Sequence, residues 1–166
     1  MTIKHRLFVD MDGVLAEWKK AEIFENLLRK GYFSSLKPYT SVVDAINIVI
    51  DSGEIDVFSL SATLIEAPHA IPEKLKWIDD NGVKIRKENR LFAIGNISKT
   101  EAVPEGVRAT DILLDDYTCN LNKWSDNAIA IKLINGVNGT KGTWIGPMIS
   151  RFATPEEIAN YILRFA

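Results

Sequence analysis

The chain has 166 residues, with 20 lysines and arginines against 22 aspartates and glutamates, for a formal net charge of −2. At about 100–200 residues per domain this is one main domain with room for a small insertion, large enough to bury a core without disulfide or metal staples. Near-neutral charge argues against a general nucleic-acid coat or a basic membrane binder, the single cysteine, Cys119, excludes an intramolecular disulfide and a cysteine-rich zinc site, and no apolar run approaches the ~18 residues of a membrane span.

The opening MTIKHRLFVD meets an acid too early for a signal peptide, so the expectation is a soluble, cytoplasmic protein. Within it RLFVD, residues 6–10, is a strand-length apolar run ending in acid. From Glu17 to Lys30, Ala21, Phe24 and Leu28 share a helical face, and Gly31 suits a C-terminal stop. From Ser41 to Asp51, Val42, Ile46, Val49 and Ile50 recur at i, i+4, i+7 and i+8 and predict a second helix. DVFSLS at 56–61 predicts a strand, and Pro72 suits the first turn of a helix running to about Asn81, with Gly82 after it. RLFAI at 90–94, DILLD at 111–115 and AIAIKL at 128–133 predict three more strands. Such near-continuous apolar runs suit strands covered on both faces. Asn135–Trp144 carries two Asn-Gly turn signals and reads as a hairpin or loop rather than a phosphate cradle, since it lacks Walker spacing. Thr154-Pro155-Glu156-Glu157 is a capping box with proline at N1, followed by the apolar stripe Ile158, Ile162 and Phe165.

Strands alternating with helices predict an α/β fold, a doubly wound, mainly parallel five-stranded Rossmann-like sheet. Residues 17–53 exceed a minimal crossover and read as a small helical cap inserted into a core formed by 1–16 and 54–166.

The residues able to do chemistry sit at the C-terminal ends of these strands, where open α/β sheets form sites at the reversal of strand order. The first strand ends Asp10-Met11-Asp12-Gly13. Residues two apart in extended chain point the same way, so Asp10 and Asp12 can face one pocket, and Gly13 permits a tight exit turn. The second strand ends at Ser61, with Ser59 one alternation earlier as its competitor. Lys99 follows the third strand, and Asp115-Asp116 end the fourth. Carboxylates from two strands can hold a hard cation such as Mg²⁺. A lysine and a hydroxyl can hold phosphate oxygens, while one carboxylate attacks phosphorus and another passes a proton. An aspartate ~4 Å from a phosphate charge meets a repulsion of about 4 kcal/mol at an effective dielectric near 20, roughly three decades in rate. A divalent cation and Lys99 can cancel it.

These motifs resemble those of the haloacid dehalogenase-like (HAD) superfamily of phosphohydrolases. LFVDMDGV matches its strand followed by D-x-D-G, VFSLS its strand ending in Ser or Thr, Lys99 its lysine motif and ILLDD its acidic motif, all in the family order. DMDGVLA, S-K-T and DILLDD are similar to the 5′(3′)-deoxyribonucleotidase branch, cytosolic type C. The resemblance implies a Mg²⁺-dependent phosphomonoesterase acting on (deoxy)ribonucleoside monophosphates. By position it makes Asp10 the nucleophile that forms an aspartyl-phosphate and Asp12 the acid and then the base. It makes Ser61 and Lys99 the phosphate ligands. Asp10, the backbone carbonyl of Asp12 and one or both of Asp115 and Asp116 would hold the metal. The family's sheet order would place the first and fourth strands side by side. The interval from Asp12 to Ser61 is shorter than in the animal members, a departure in the part that shapes the leaving-group pocket. Ser61 stands where the branch has Thr.

Each residue also has a plainer reading. Strand-end carboxylates often form turns or helix caps, and Lys99 alone could be a surface lysine. Trp18, just past the catalytic loop, is the candidate for stacking on a base, whereas Phe24 sits on the apolar stripe and reads as cap core. His5 and His69 lack metal-ligand spacing, and Cys119 reads as a small helix or core residue. Rival functions are a phosphatase for another small ester, such as a sugar phosphate, and a non-catalytic phosphate-binding module. The expected partner is a small phosphorylated molecule, with no nucleic-acid polymer and no membrane.

Overall fold

The structure, a computed structural model, describes residues 4–19, 24–140 and 142–166. Its centre is a sheet of six parallel strands in the order β3-β2-β1-β4-β5-β6. These are β1 (Arg6–Val9), β2 (Asp56–Thr63), β3 (Arg90–Ile94), β4 (Ile112–Asp115), β5 (Ile129–Ile134) and β6 (Met148–Ser150). The chain steps outward from β1 through β2 and β3, then returns to place β4 on the other flank of β1, with Leu7, Phe8 and Val9 opposite Ile112, Leu113 and Leu114. The reversal of strand order therefore falls between β1 and β4, beneath Asp10 and Asp115.

β1 and β4 are buried along their whole length, because both sheet faces are covered. Leu7 and Val9 face a core shared with α1 (Thr40–Ser52), α2 (Ala70–Asp80) and α4 (Pro155–Leu163). Phe8, one alternation away, packs with Leu60, Leu113 and the residues Leu121 and Trp124 of α3 (Thr118–Ser125). The capping box that opens α4 is formed: Thr154 Oγ1 accepts from the Glu157 amide and Glu157 accepts from the Thr154 amide. No helix among the described residues is long and apolar enough to cross a membrane.

Three expectations are corrected. The sheet has six strands, not five. β6 has only three residues, none of them buried, so it carries no apolar run to betray it. Its parallel pairing with β5 bears out the loop alternative for Asn135–Trp144 over the hairpin. The helix expected from Glu17 to Lys30 is not formed by its described part, where Phe24–Leu28 is a 3₁₀ turn that buries no residue. Ala21 lies outside the described residues. Phe24 is exposed rather than cap core. Cys119 is likewise exposed, on α3, a mostly polar helix anchored by Leu121 and Trp124.

The interval after β1 leaves and returns at one place. The Glu17 amide donates to the Lys37 carbonyl and the Tyr39 amide to the Leu15 carbonyl, which closes the stretch between them into a strap. α1 then packs along α4.

At the opposite end of the sheet Arg6 and Asp111 form a buried two-pronged pair, at 2.8 Å and 2.6 Å, and Asp111 also accepts from the Arg108 amide. Removing one member leaves a buried charge and a stranded amide. Asp111→Ala is expected to lower the unfolding free energy by about 3–5 kcal/mol, read from denaturant melts. A loss under about 1 kcal/mol would show the pair to be a solvated surface contact.

Candidate active site

β1 stops at Val9, and the Asp10 amide donates to the Leu114 carbonyl of β4. The chain then turns sharply, with the amides of Leu15 and Ala16 donating to the Met11 carbonyl. Gly13 enables this turn twice over. Its φ of +83° is open to glycine, and a Cβ there would run into the Asp116 carboxylate.

The turn carries Asp10 to the acidic pair that ends β4. Carboxylate oxygens of Asp10, Asp115 and Asp116 lie within 4.8 Å of one another, and all three residues are buried. Lys99, from the irregular segment after β3, reaches between them, 2.8 Å from Asp10 Oδ1 and 2.6 Å from Asp115 Oδ2. The remaining donors are neutral. Met11 N–H donates to Asp10 Oδ1, Tyr117 N–H to Asp115 Oδ1 and Asn120 Nδ2 to Asp115 Oδ2. Asn135 and Asn138 both donate to Asp116 Oδ2, at 2.7 Å and 2.6 Å.

Three carboxylates around one ammonium leave an excess of negative charge. Burial, then the neighbouring Asp115, Asp12 and Asp116 charges, push Asp10 up to about 8 despite the opposing pull of Lys99. Burial and Asp115 push Asp116 up to about 6 against its two amide donors. Burial by itself would lower Lys99, but the Asp10 and Asp115 charges hold it above its usual value. A buried, all-oxygen donor set of like charge, reluctant to ionise, is what a divalent hard cation would satisfy. The residues therefore fit Mg²⁺.

Asp12 stands apart from this trio. Its Oδ2 accepts from Lys74 Nζ of α2 at 2.5 Å, while Oδ1 is buried with no partner among the described residues. Lys74 also donates to Ser61 Oγ at 2.8 Å and to the Ala62 carbonyl. Ser61 thus accepts from Lys74 and keeps its own O–H for donation. Ser59 is buried and its hydroxyl has no partner among the described residues.

Above these groups lies a cavity of about 350 Å³, a size that suits a small ligand. Asp10, Asp12, Lys99 and Asp116 form its floor, and Trp18, Leu27, Phe33 and Leu64 supply an apolar wall. Thr63, whose buried hydroxyl has no partner among the described residues, also faces it. Of the sequence-nominated residues, Asp10, Asp12, Lys99, Asp116 and Trp18 line the cavity. Asp115 sits beneath them, and Ser61 lies beside Lys74.

Sequence reasoning missed Lys74, Asn120, Asn135 and Asn138. Lys74 carried a signal: with Ala70, Trp77 and Ile78 it completes the buried stripe of α2, where a lysine needs a buried partner. Asn135 and Asn138 carried none beyond turn chemistry, because the crossover that brings them to Asp116 is a tertiary feature.

Two solved structures share the architecture. A D,D-heptose 1,7-bisphosphate phosphatase from Burkholderia thailandensis superposes with a TM-score of 0.59 at 11% identity, over 96% of this chain and 99% of that one. A haloacid dehalogenase-like hydrolase from Burkholderia xenovorans LB400 gives 0.57 at 11% identity, over 98% of each chain. These likenesses define the fold as the one those two hydrolases share, with acids gathered in this chain where the strand order reverses. Residues 17–140 match the family model for 5′ nucleotidase, deoxy (Pyrimidine), cytosolic type C protein, and the chain belongs to that family. It is a phosphoric monoester hydrolase of the 5′-nucleotidase kind. The match spans Ser61, Lys74, Lys99, Asp115 and Asp116 and begins after Asp10 and Asp12.

The raised values of Asp10 and Asp116 give a signed expectation. The folded, metal-free protein holds these protons more tightly than the unfolded chain. Their contribution to stability is complete below about pH 4 and is lost as pH rises through about 6 and 8. A cation that binds the ionised carboxylates offsets that loss. The rise in thermal midpoint on adding Mg²⁺ should therefore be larger near about pH 8 than near about pH 5. Equal shifts at both would contradict a cation held by this cluster.

Proposed function

We propose that the protein is a Mg²⁺-dependent 5′(3′)-deoxyribonucleotidase, hydrolysing (deoxy)ribonucleoside monophosphates through an aspartyl-phosphate on Asp10. The observation that carries this reading is the placement of Asp10 and Asp12 on the floor of one cavity with Lys99, the acidic pair at hand and an apolar, partly aromatic wall opposite. The flat faces of Trp18 and Phe33 suit a nucleobase better than a sugar. Residues 17–53 are the cap of this reading against a core of 1–16 and 54–166. The strap before Tyr39 borders the cavity, and α1 is the part packed on α4. A cytoplasmic setting belongs to the same proposal and rests on the composition.

Asp10 is poised for attack. Met11 N–H and Lys99 hold its Oδ1, which leaves Oδ2 without a protein partner among the described contacts. Lys99 and the Ser61 hydroxyl bind the phosphate oxygens. A carboxylate oxygen of Asp10 forms a bond to phosphorus as the ester P–O bond breaks, and Asp12 gives its proton to the departing alkoxide oxygen. Asp12 then takes a proton from water, whose oxygen attacks phosphorus. The bond to Asp10 breaks, releasing inorganic phosphate and restoring the carboxylate. Asp10, Asp115, Asp116 and the Asp12 backbone carbonyl would hold the Mg²⁺, which when bound supplies positive charge to offset repulsion between carboxylate and phosphate.

Asp10→Asn should abolish turnover, by about 10³-fold or more, while thermal melts show the fold retained. Measured across a panel of nucleoside and sugar monophosphates with Mg²⁺, the wild type should favour deoxynucleotides and lose activity in EDTA. Wild-type rates in Asp10→Asn would overturn the mechanism, and a preference for sugar phosphates would overturn the substrate.

A further inference from the structure

We infer that Lys74 is a positioning residue for Asp12: it pins the carboxylate oxygen Oδ2 and so fixes the carboxyl group that exchanges the proton with the leaving group. This rests on the phosphomonoesterase reading above and deepens it.

Lys74 is fully buried, yet it lies outside the cluster of Asp10, Asp115, Asp116 and Lys99. Its ammonium has three donors, and each is committed: to Asp12 Oδ2, Ser61 Oγ and the Ala62 carbonyl. The Phe33 ring lies 4.5 Å away and covers the ammonium with its π face. A buried ammonium so enclosed has little freedom, so Asp12 Oδ2 is held in place. With Oδ2 pinned and Oδ1 buried, the Asp12 carboxyl group is fixed where it lines the cavity.

The same helix holds the strap. Glu73 accepts from the Gly31 and Phe33 amides, and Trp77 Nε1 donates to the Leu36 carbonyl. Lys74 thus stands between the carboxylate that moves the proton and the aromatic wall that meets the leaving group, with Phe33 touching both. α2 sets the distance between chemistry and leaving-group pocket as a rigid spacer.

The test compares Lys74→Met with wild type on two esters. The alkoxide of a deoxynucleoside 5′-monophosphate needs a proton to depart; the phenolate of p-nitrophenyl phosphate does not. kcat/KM reports steps up to departure of that group. Lys74→Met should lower it by about 100-fold or more for the nucleotide, but by less than about threefold for the nitrophenyl ester. Lys74→Gln, which keeps a donor for Asp12 and Ser61, should recover part of the nucleotide rate, and it carries the same comparison if Lys74→Met does not fold. Equal losses on both esters would show a merely structural lysine and overturn the proposal, as would no loss on either. A wild type inactive on every monoester would overturn the functional reading, and this proposal with it.

Discussion

The structure is organised around one electrostatic problem, the confinement of three carboxylates about the Lys99 ammonium at the end of a buried sheet. Asp10, Asp115 and Asp116 converge because β1 and β4 are neighbours, and Lys99 pairs with the first two. A cluster of this charge would be destabilising in a protein that only had to fold. Its retention in a cavity floor, with Asn135 and Asn138 contributed by a distant loop, marks a place prepared for positive charge and for an anion.

The folding of the surroundings follows from that requirement. β1 and β4 are short and apolar on both faces, so their C-terminal ends are fixed by packing on two layers rather than by the site itself. Gly13 lets the chain turn within reach of Asp116. Two lysines divide these carboxylates between them, Lys99 beside Asp10 and Lys74 beside Asp12. The separation gives two carboxylates two residues apart in sequence distinct environments, which is how one site can house a nucleophile and a proton carrier.

The part of the molecule that faces a leaving group is built more loosely. The 3₁₀ turn at Phe24–Leu28 buries nothing, while the segment after it is tied to α2 through Glu73, Lys74 and Trp77. The acidic cluster thus rests on the core, and part of the cavity's apolar wall rests on one helix.

Much of this was legible in the residues alone. The five longer strands, α1, α2, the capping box and the positions of Asp10, Asp12, Asp115 and Asp116 at strand ends follow from local pattern, because burial on two faces and helical periodicity leave their mark on consecutive residues, whereas β2 runs on to Thr63 and so holds Ser61 inside the strand rather than at its end. β6 and α3 escaped, since an edge strand of three residues and a helix with two buried anchors have too little apolar signal. The expected first helix failed for the converse reason: the stripe was present in the sequence, yet Phe24 and Leu28 in its described part are exposed. Tertiary structure alone decided which lysine meets which carboxylate and which amides steady Asp116. Those partners lie far apart along the chain, and a contact between distant segments is set by how the layers pack, not by any local run of residues.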